Sequence, residues 1–442
     1  MSLAVSSRPT AVRVDPPAPA PASAPVAAEA PVPGSSWVAL AVLFVVYMLN
    51  YLDRTLIYIL FGPIKKEMKF TDLELALLGT TSFVIFYTLL GIPFGRLADR
   101  VVRKRMIAVG LVIWSVFSGL TGWMDTFAGI FVCRVMVGVG EATLGPAALS
   151  LLSDLFPPRM RATIGAIYSA GIPMGAGVAM LLGGLIGDTY GWRWAFYLLG
   201  FPGIIMAVAV LMLREPARGV TERATTTDSS EQPDWRVLFR VKALWFHYAG
   251  YALLAVAGNS LSIWMPTYMH KAFGLELKTV GFYIGLCASV GGLLGAILGG
   301  YGADWFRARH KGGRMQFTAM GALVSAPLWM VMLFADSVTV FLMPMFVLMG
   351  VALMWLGPAA ADIQDVVGPK LRGLGVGVYF FIVNIVGYGI TPPIVGRIND
   401  VLGVAQDPTL VRYSLLICPV ACVLSAVMLW RGSVLMRQRD AN

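Results

Sequence analysis

The chain is short of charge. Of its 442 residues only 13% are Asp, Glu, Lys or Arg, about half the roughly 25% of an ordinary soluble domain. A water-soluble globule could not cover itself with so few charges. Histidine is scarcer still: His247, His270 and His310 stand far apart, and nothing near them forms a metal site or a nucleophile–base pair. That weighs against an enzyme, a membrane-embedded lipid enzyme included. The four cysteines, Cys133, Cys287, Cys418 and Cys422, lie inside apolar runs without metal-ligand spacing and read as reduced, buried small hydrophobes. Neither a metal nor a cofactor is expected. What is abundant is apolar: 57% of the residues are hydrophobic, and lipid is the solvent that suits such a surface.

The net charge of +10 would suggest nucleic acid in a soluble protein. Here the basic residues collect in short loops between apolar runs, as cytoplasmic membrane loops do, so no nucleic-acid partner is expected. Residues 1–35 are rich in Pro and Ala between Asp15 and Gly34 and show no apolar periodicity. They read as a disordered cytoplasmic tail, and no apolar signal-peptide core precedes Trp37.

A bilayer core takes roughly 20 apolar residues per helix. The runs place spans at 37–62, 72–95, 105–123, 126–152, 161–187 and 194–213, then at 243–269, 279–303, 315–335, 338–363, 373–398 and 409–431. The fold class is therefore an all-α membrane protein with twelve transmembrane helices. A six-helix bundle over 36–213 joins a second over 241–435 through a polar linker at 214–240, which carries a short amphipathic piece around Trp235–Arg240. Residues 436–442 form a cytoplasmic tail. Even-to-odd loops hold Arg96, Arg100, Arg103, Lys104 and Arg105; Arg159 and Arg161; Arg307, Arg309, Lys311 and Arg314; and Lys370 and Arg372. In the opposite loops Lys65, Lys66 and Lys69 are offset by Glu67, Asp72 and Glu74. Both termini are thus expected in the cytoplasm.

The halves repeat. Leu144–Ala148 and Leu356–Ala360 both read Leu-Gly-Pro-Ala-Ala, Asp154 recurs as Asp365, Tyr168 as Tyr379, and Gly95 and Asp99 as Gly300 and Asp304. The offsets are 205, 211 and 212. A parallel six-plus-six repeat is the sequence form of a two-bundle transporter that rocks about a central site. Gly171, Pro173, Gly175 and Gly177 in the fifth span, and Gly291, Gly295 and Gly299 in the eighth, suit close helix packing and bending.

Charges inside the membrane are the most informative residues. Asp53 and Arg54 lie deep in the first span, in Asn50-Tyr-Leu-Asp-Arg, and Arg134 and Glu141 lie in the fourth. Seven residues make about two turns, so Arg134 and Glu141 share a face about 10 Å apart along the axis. Such charges pair or line a cavity. Two acids and two bases fit a buried network between the first and fourth spans, and an acid that gains and loses an arginine neighbour can bind and release protons. The equivalent region of the second half is apolar and aromatic, with Trp264, Met265, Trp355 and Phe380 as candidate cavity residues. A cavity divided in this way suits an amphiphile with a charged head.

The loop Gly95-Arg-Leu-Ala-Asp99-Arg100-Val-Val-Arg103-Lys104-Arg105 resembles the signature of the major facilitator superfamily. Physically it reads as a cytoplasmic latch in which Asp99 accepts from arginines or from a helix N-terminus, with Gly95, Arg100, Arg103 and the second-half Asp304 as further members. Asn50–Arg54, Gly140-Glu-Ala142, Gly191–Phe196 and Arg214–Gly219 together resemble the spinster branch of that superfamily. The resemblance implies the major facilitator fold and proton-coupled export of lysophospholipids or sphingoid phosphates. It also implies Asp53 and Glu141 as proton-binding residues, and Arg54 and Arg134 as their partners or as those of a substrate phosphate. The protein is expected as a monomer among the lipids of a bacterial inner membrane. A proton-coupled organic-anion or multidrug carrier uses the same charges and stays open as an alternative.

Overall fold

A computed structural model describes residues 32–216, 236–310, 313–367 and 371–441. Lys311, Lys370, Trp235, most of the tail at 1–35 and most of the linker lie outside the described residues. Among those described there is no strand, and eleven helices are long and apolar enough to cross a membrane. In chain order these are α1 (Gly34–Ile59), α2 (Asp72–Ala98), α3 (Arg103–Thr121), α4 (Phe127–Leu155), α5 (Thr163–Thr189), α6 (Trp192–Met212), α8 (Leu277–Arg309), α9 (Gly313–Leu333), α10 (Val338–Val366), α11 (Gly373–Leu402) and α12 (Pro408–Gln438). Between α6 and α8 lies α7 (Lys242–Ala272), which has 31 residues and is long enough to cross but less apolar than the others. The short piece expected near the linker's end is the helix Val237–Arg240. The last helix continues through Ala441, so residues 436–441 are helical.

Proline accompanies four of the helix breaks, while Pro93, Pro266, Pro327 and Pro344 sit inside continuous helices. It lacks an N–H and clashes with the carbonyl four residues earlier. Four residues before Pro63, Pro146, Pro173 and Pro358 stand Ile59, Ala142, Ser169 and Met354. Helical segments end at Ile59, Glu141, Ser169 and Met354. The repeated Leu-Gly-Pro-Ala-Ala motif therefore restarts α4 and α10 at equivalent places. Both helices also begin alike, with a hydroxyl cap on the third N–H: Gly129 N–H to Thr126 Oγ1 at 3.1 Å, and Val340 N–H to Ser337 Oγ at 3.4 Å.

Buried side chains form three cores. One draws on both halves, joining Tyr58, Phe61 and Met180 to Trp264, Met265 and Leu277. The other two belong to one half each: Trp114, Phe156 and Tyr168 in the first, Tyr251, Trp355 and Tyr379 in the second. These separate cores lie toward the arginine-rich loops and the shared core toward the opposite end. At that opposite end α5 packs on α8, and the first turn of α2 packs on α11. Asp400 accepts from the Asp72 and Leu73 N–H groups there, at 2.8 and 3.0 Å. The Gly191–Phe196 motif anchors the same end of the first half. Gly191 makes the turn at φ 91°, Trp192 Nε1 donates to Glu67 (2.7 Å), and Arg193 donates to Asp125 (2.5 Å).

Candidate functional site

Asn50, Asp53 and Arg54 stand within one turn or so on α1, and all three are buried. Arg134 and Glu141 stand two turns apart on α4 and are buried as well. The two faces meet. Glu141 Oε2 accepts from Arg54 Nη2 at 2.9 Å and from Nε at 3.3 Å, and Arg54 Nη2 lies 3.5 Å from Asn50 Oδ1. Three rings close around the same guanidinium: Tyr51, Phe83 and Tyr87 each have their centroids 4.6 Å from Arg54 Cζ. A cation facing a desolvated ring gains about 2 kcal/mol, so these rings hold Arg54 where lipid or water alone would not.

The five charged and polar residues expected together are together, but their pairing differs from a simple exchange between two acids and two arginines. Arg134 donates to main-chain carbonyls, those of Asp53 at 3.2 Å and Arg54 at 3.4 Å. Asp53 accepts from Ser118 Oγ of α3 at 2.8 Å. The reason is angular. Successive helical residues point about 100° apart, so Asp53 and Arg54 address different neighbours. Ser118 and the rings around Arg54 are members that the sequence reading misses. Phe83 and Tyr87, one turn apart on α2, carry the one available signal, because such a pair shares a face. Two polar atoms are left over: Glu141 Oε1 and Arg134 Nε are buried without hydrogen-bond partners.

Of the apolar cavity candidates, Trp264 and Met265 lie where the two halves meet. Both are buried in the core shared by the halves, and the Trp264 ring lies 6.1 Å from that of Phe61. Trp355 is also buried, packed against Tyr251 and Tyr379. Phe380 alone of the four is exposed. At the arginine-rich end Asp99 and Arg100 are exposed, and Gly95 has open space beside it. Arg103 is fully buried and bonds Asp154 at 2.5 Å, Glu215 at 3.3 Å and the Pro216 carbonyl at 3.2 Å. Glu215 also accepts from the Arg103 and Lys104 N–H groups at 2.8 and 3.2 Å, capping α3. In the second half Arg314 bonds Asp304 at 2.7 Å and Asp365 at 2.8 Å. Both clasps tie helices of one half together.

Residues 43–392 match the family model described as Major Facilitator Superfamily. An "MFS-type efflux pump" of Mycolicibacterium smegmatis is 27% identical over 92% of this chain and 94% of its own length. "Protein spinster" of Drosophila melanogaster is 28% identical over 83% of this chain, which spans 62% of that longer protein. Among solved structures, a bacterial homolog of the human lysosomal transporter spinster, inward-facing and unoccupied, superposes with a TM-score of 0.78 at 24% identity, covering 92% of this chain and 97% of its own. A D-xylose–proton symporter superposes at 0.70 with 16% identity, over 89% and 97%. With residues 43–392 matched to its model, most of the chain, the protein belongs to the Major Facilitator Superfamily of membrane transporters.

Proposed function

We propose that the chain is a proton-coupled secondary transporter that works by alternating access and moves a lipid-like amphiphile, a lysophospholipid or sphingoid phosphate. In this reading α7 crosses the bilayer too. That makes twelve spans in two bundles, 36–213 and 241–435, with both termini on the cytoplasmic side of a bacterial inner membrane. The halves then meet at the outer end, and the site opens toward the cytoplasm.

One observation carries the coupling. Glu141 is buried, both Arg54 bonds go to one of its oxygens, and the other oxygen has no partner. A proton can therefore add at Oε1 without displacing Arg54. An anionic head group that draws Arg54 away leaves a carboxylate in a site that disfavours charge, and Glu141 then takes up a proton. Substrate and proton are linked through one guanidinium. Asp53, held by Ser118, is the second proton-binding candidate. Arg134 fixes α4 to the α1 main chain at the level of the site. Asp99 and Arg100, exposed here, are free to act as a latch when the arginine-rich ends close.

The relative named as an efflux pump favours a second reading, a proton-coupled organic-anion or multidrug carrier using the same residues. The test is movement of a labelled lysophospholipid in proteoliposomes with and without an imposed proton gradient. Gradient-dependent movement that is lost in Glu141→Gln supports both parts of the proposal. Movement of a small anion or drug in place of the lysolipid overturns the substrate, and pH-driven transport retained in Glu141→Gln overturns the coupling role.

A further inference from the structure

The repeat relating the two halves is broken at one buried position. Arg103 and Arg314 are equivalent, 211 residues apart. Each holds an aspartate at the end of the following even helix, Asp154 and Asp365. In the first half the same guanidinium nitrogen also reaches Ser150, at 3.1 Å to both its hydroxyl and its carbonyl oxygen. Counted from the Leu-Gly-Pro-Ala-Ala motif, at an offset of 212, Asp362 stands at the position of Ser150, while Asp365 answers Asp154 at an offset one shorter. A neutral hydroxyl is thus replaced by an acid.

Asp362 is 9% exposed. Its Oδ1 stands 3.7 Å from Arg314 Nη1, too far for a hydrogen bond. Its Oδ2 is buried and has no partner. The groups around it come from every element packed on this stretch of α10. They are Arg314 from α9, Asp304 and Arg307 from α8, Asp365 from α10 itself, His247 and Tyr251 from α7, and Tyr379 from α11. His247 Nε2 is spent on the Ala359 carbonyl (3.0 Å), the Tyr251 hydroxyl faces Thr318 Oγ1 at 3.4 Å, and the Tyr379 hydroxyl is unpartnered. Arg307 bonds Asp365 at 2.7 Å. Among the described residues three carboxylates therefore share two guanidiniums, and the buried one is the one left without a hydrogen bond.

We propose that Asp362 is a second proton-binding site, carried by the second half at its arginine-rich end. Protonated, it leaves the clasp in charge balance, with Arg314 on Asp304 and Asp365 as observed. Ionised, it competes for Arg314 and loosens α9 and α10 from α8. Acidification therefore tightens this half's clasp, independently of what Glu141 does. The proposal does not rest on the coupling role given to Glu141.

Infrared difference spectroscopy of the full-length protein in lipid, titrated from alkaline to acid pH, reads protonated carboxyl groups directly. Asp362→Asn is expected to remove one titrating carboxyl band, and Glu141→Gln is expected to leave that band in place. Asp362→Ser copies the arrangement the first half already uses, and it serves as the second folded variant, with the same loss expected. If the carboxyl spectra of folded Asp362→Asn and Asp362→Ser superpose on that of the unaltered protein throughout the titration, the proposal is overturned.

Discussion

Gly281→Ala tests how the halves are held. At the crossing of α5 and α8 a Cβ on Gly281 would stand 2.3 Å from the Met180 carbonyl oxygen and 3.1 Å from Gly184 Cα, where ordinary contact begins at 3.4 Å. Both obstacles are backbone, so no side chain can swing aside, and the helices must part by roughly 1 Å. Overpacking of this kind costs about 1–3 kcal/mol. The cost falls only on the conformation in which this end is shut, so the equilibrium between shut and open shifts by about 5- to 160-fold. Spin labels at the exposed positions Tyr190 and Glu276, read by double electron–electron resonance, report the separation of α5 and α8. The long-distance population is expected to rise in Gly281→Ala and to stay unchanged in Gly91→Ala, where nothing lies within 4 Å. An unaltered distance distribution in folded Gly281→Ala would refute the claim that this crossing shuts the end.

Removing the cap that α11 places on α2 should act in the same direction but more weakly. Asp400→Ala loses two charge-assisted bonds at a helix N-terminus, worth about 1 kcal/mol, and the same labels should show a shift of about fivefold. Arg103→Ala should instead lower the stability of the first half. It removes the buried guanidinium that bonds Asp154 and Glu215, while Glu215 keeps the two N–H groups at the start of α3; the loss is worth about 1.5–3 kcal/mol, and a fall in melting temperature in detergent is the check.

Much of this architecture is legible in the sequence because lipid imposes long apolar runs separated by short polar loops. Every expected span overlaps a helix, and α7 was placed to within a few residues despite its less apolar composition. The repeat was legible too, since Leu144–Ala148 and Leu356–Ala360 do the same mechanical task. Partner choice was not legible. Whether Asp53 meets an arginine or Ser118 depends on the rotation of α1 against α3 and α4, and no one-dimensional pattern encodes that. That Trp264 and Met265 pack in the core shared by the halves is not legible either, because an apolar side chain reads alike whether it faces a void or a packed neighbour. Glu215 stood in a motif that carried the family resemblance, yet its task, capping α3, appears only when the linker folds back onto that helix.

Three helices contain a stretch wound more widely than an α-helix: Leu77–Thr81 in α2, Cys287–Gly291 in α8 and Ile385–Ile390 in α11. The stretches of α2 and α11 touch, with the Thr81 hydroxyl donating to the Gly389 carbonyl at 3.0 Å. One extra residue in a turn advances everything beyond it by about 100°. In α2 that phase change lets the first turn lie against α11 while Phe83 and Tyr87, further on, face Arg54. The helix serves two neighbours on different bearings because of a single inserted residue. Deleting one residue from Leu77–Thr81 would keep the helix, its length and its hydrophobicity, and yet swing the rings away from the guanidinium they enclose.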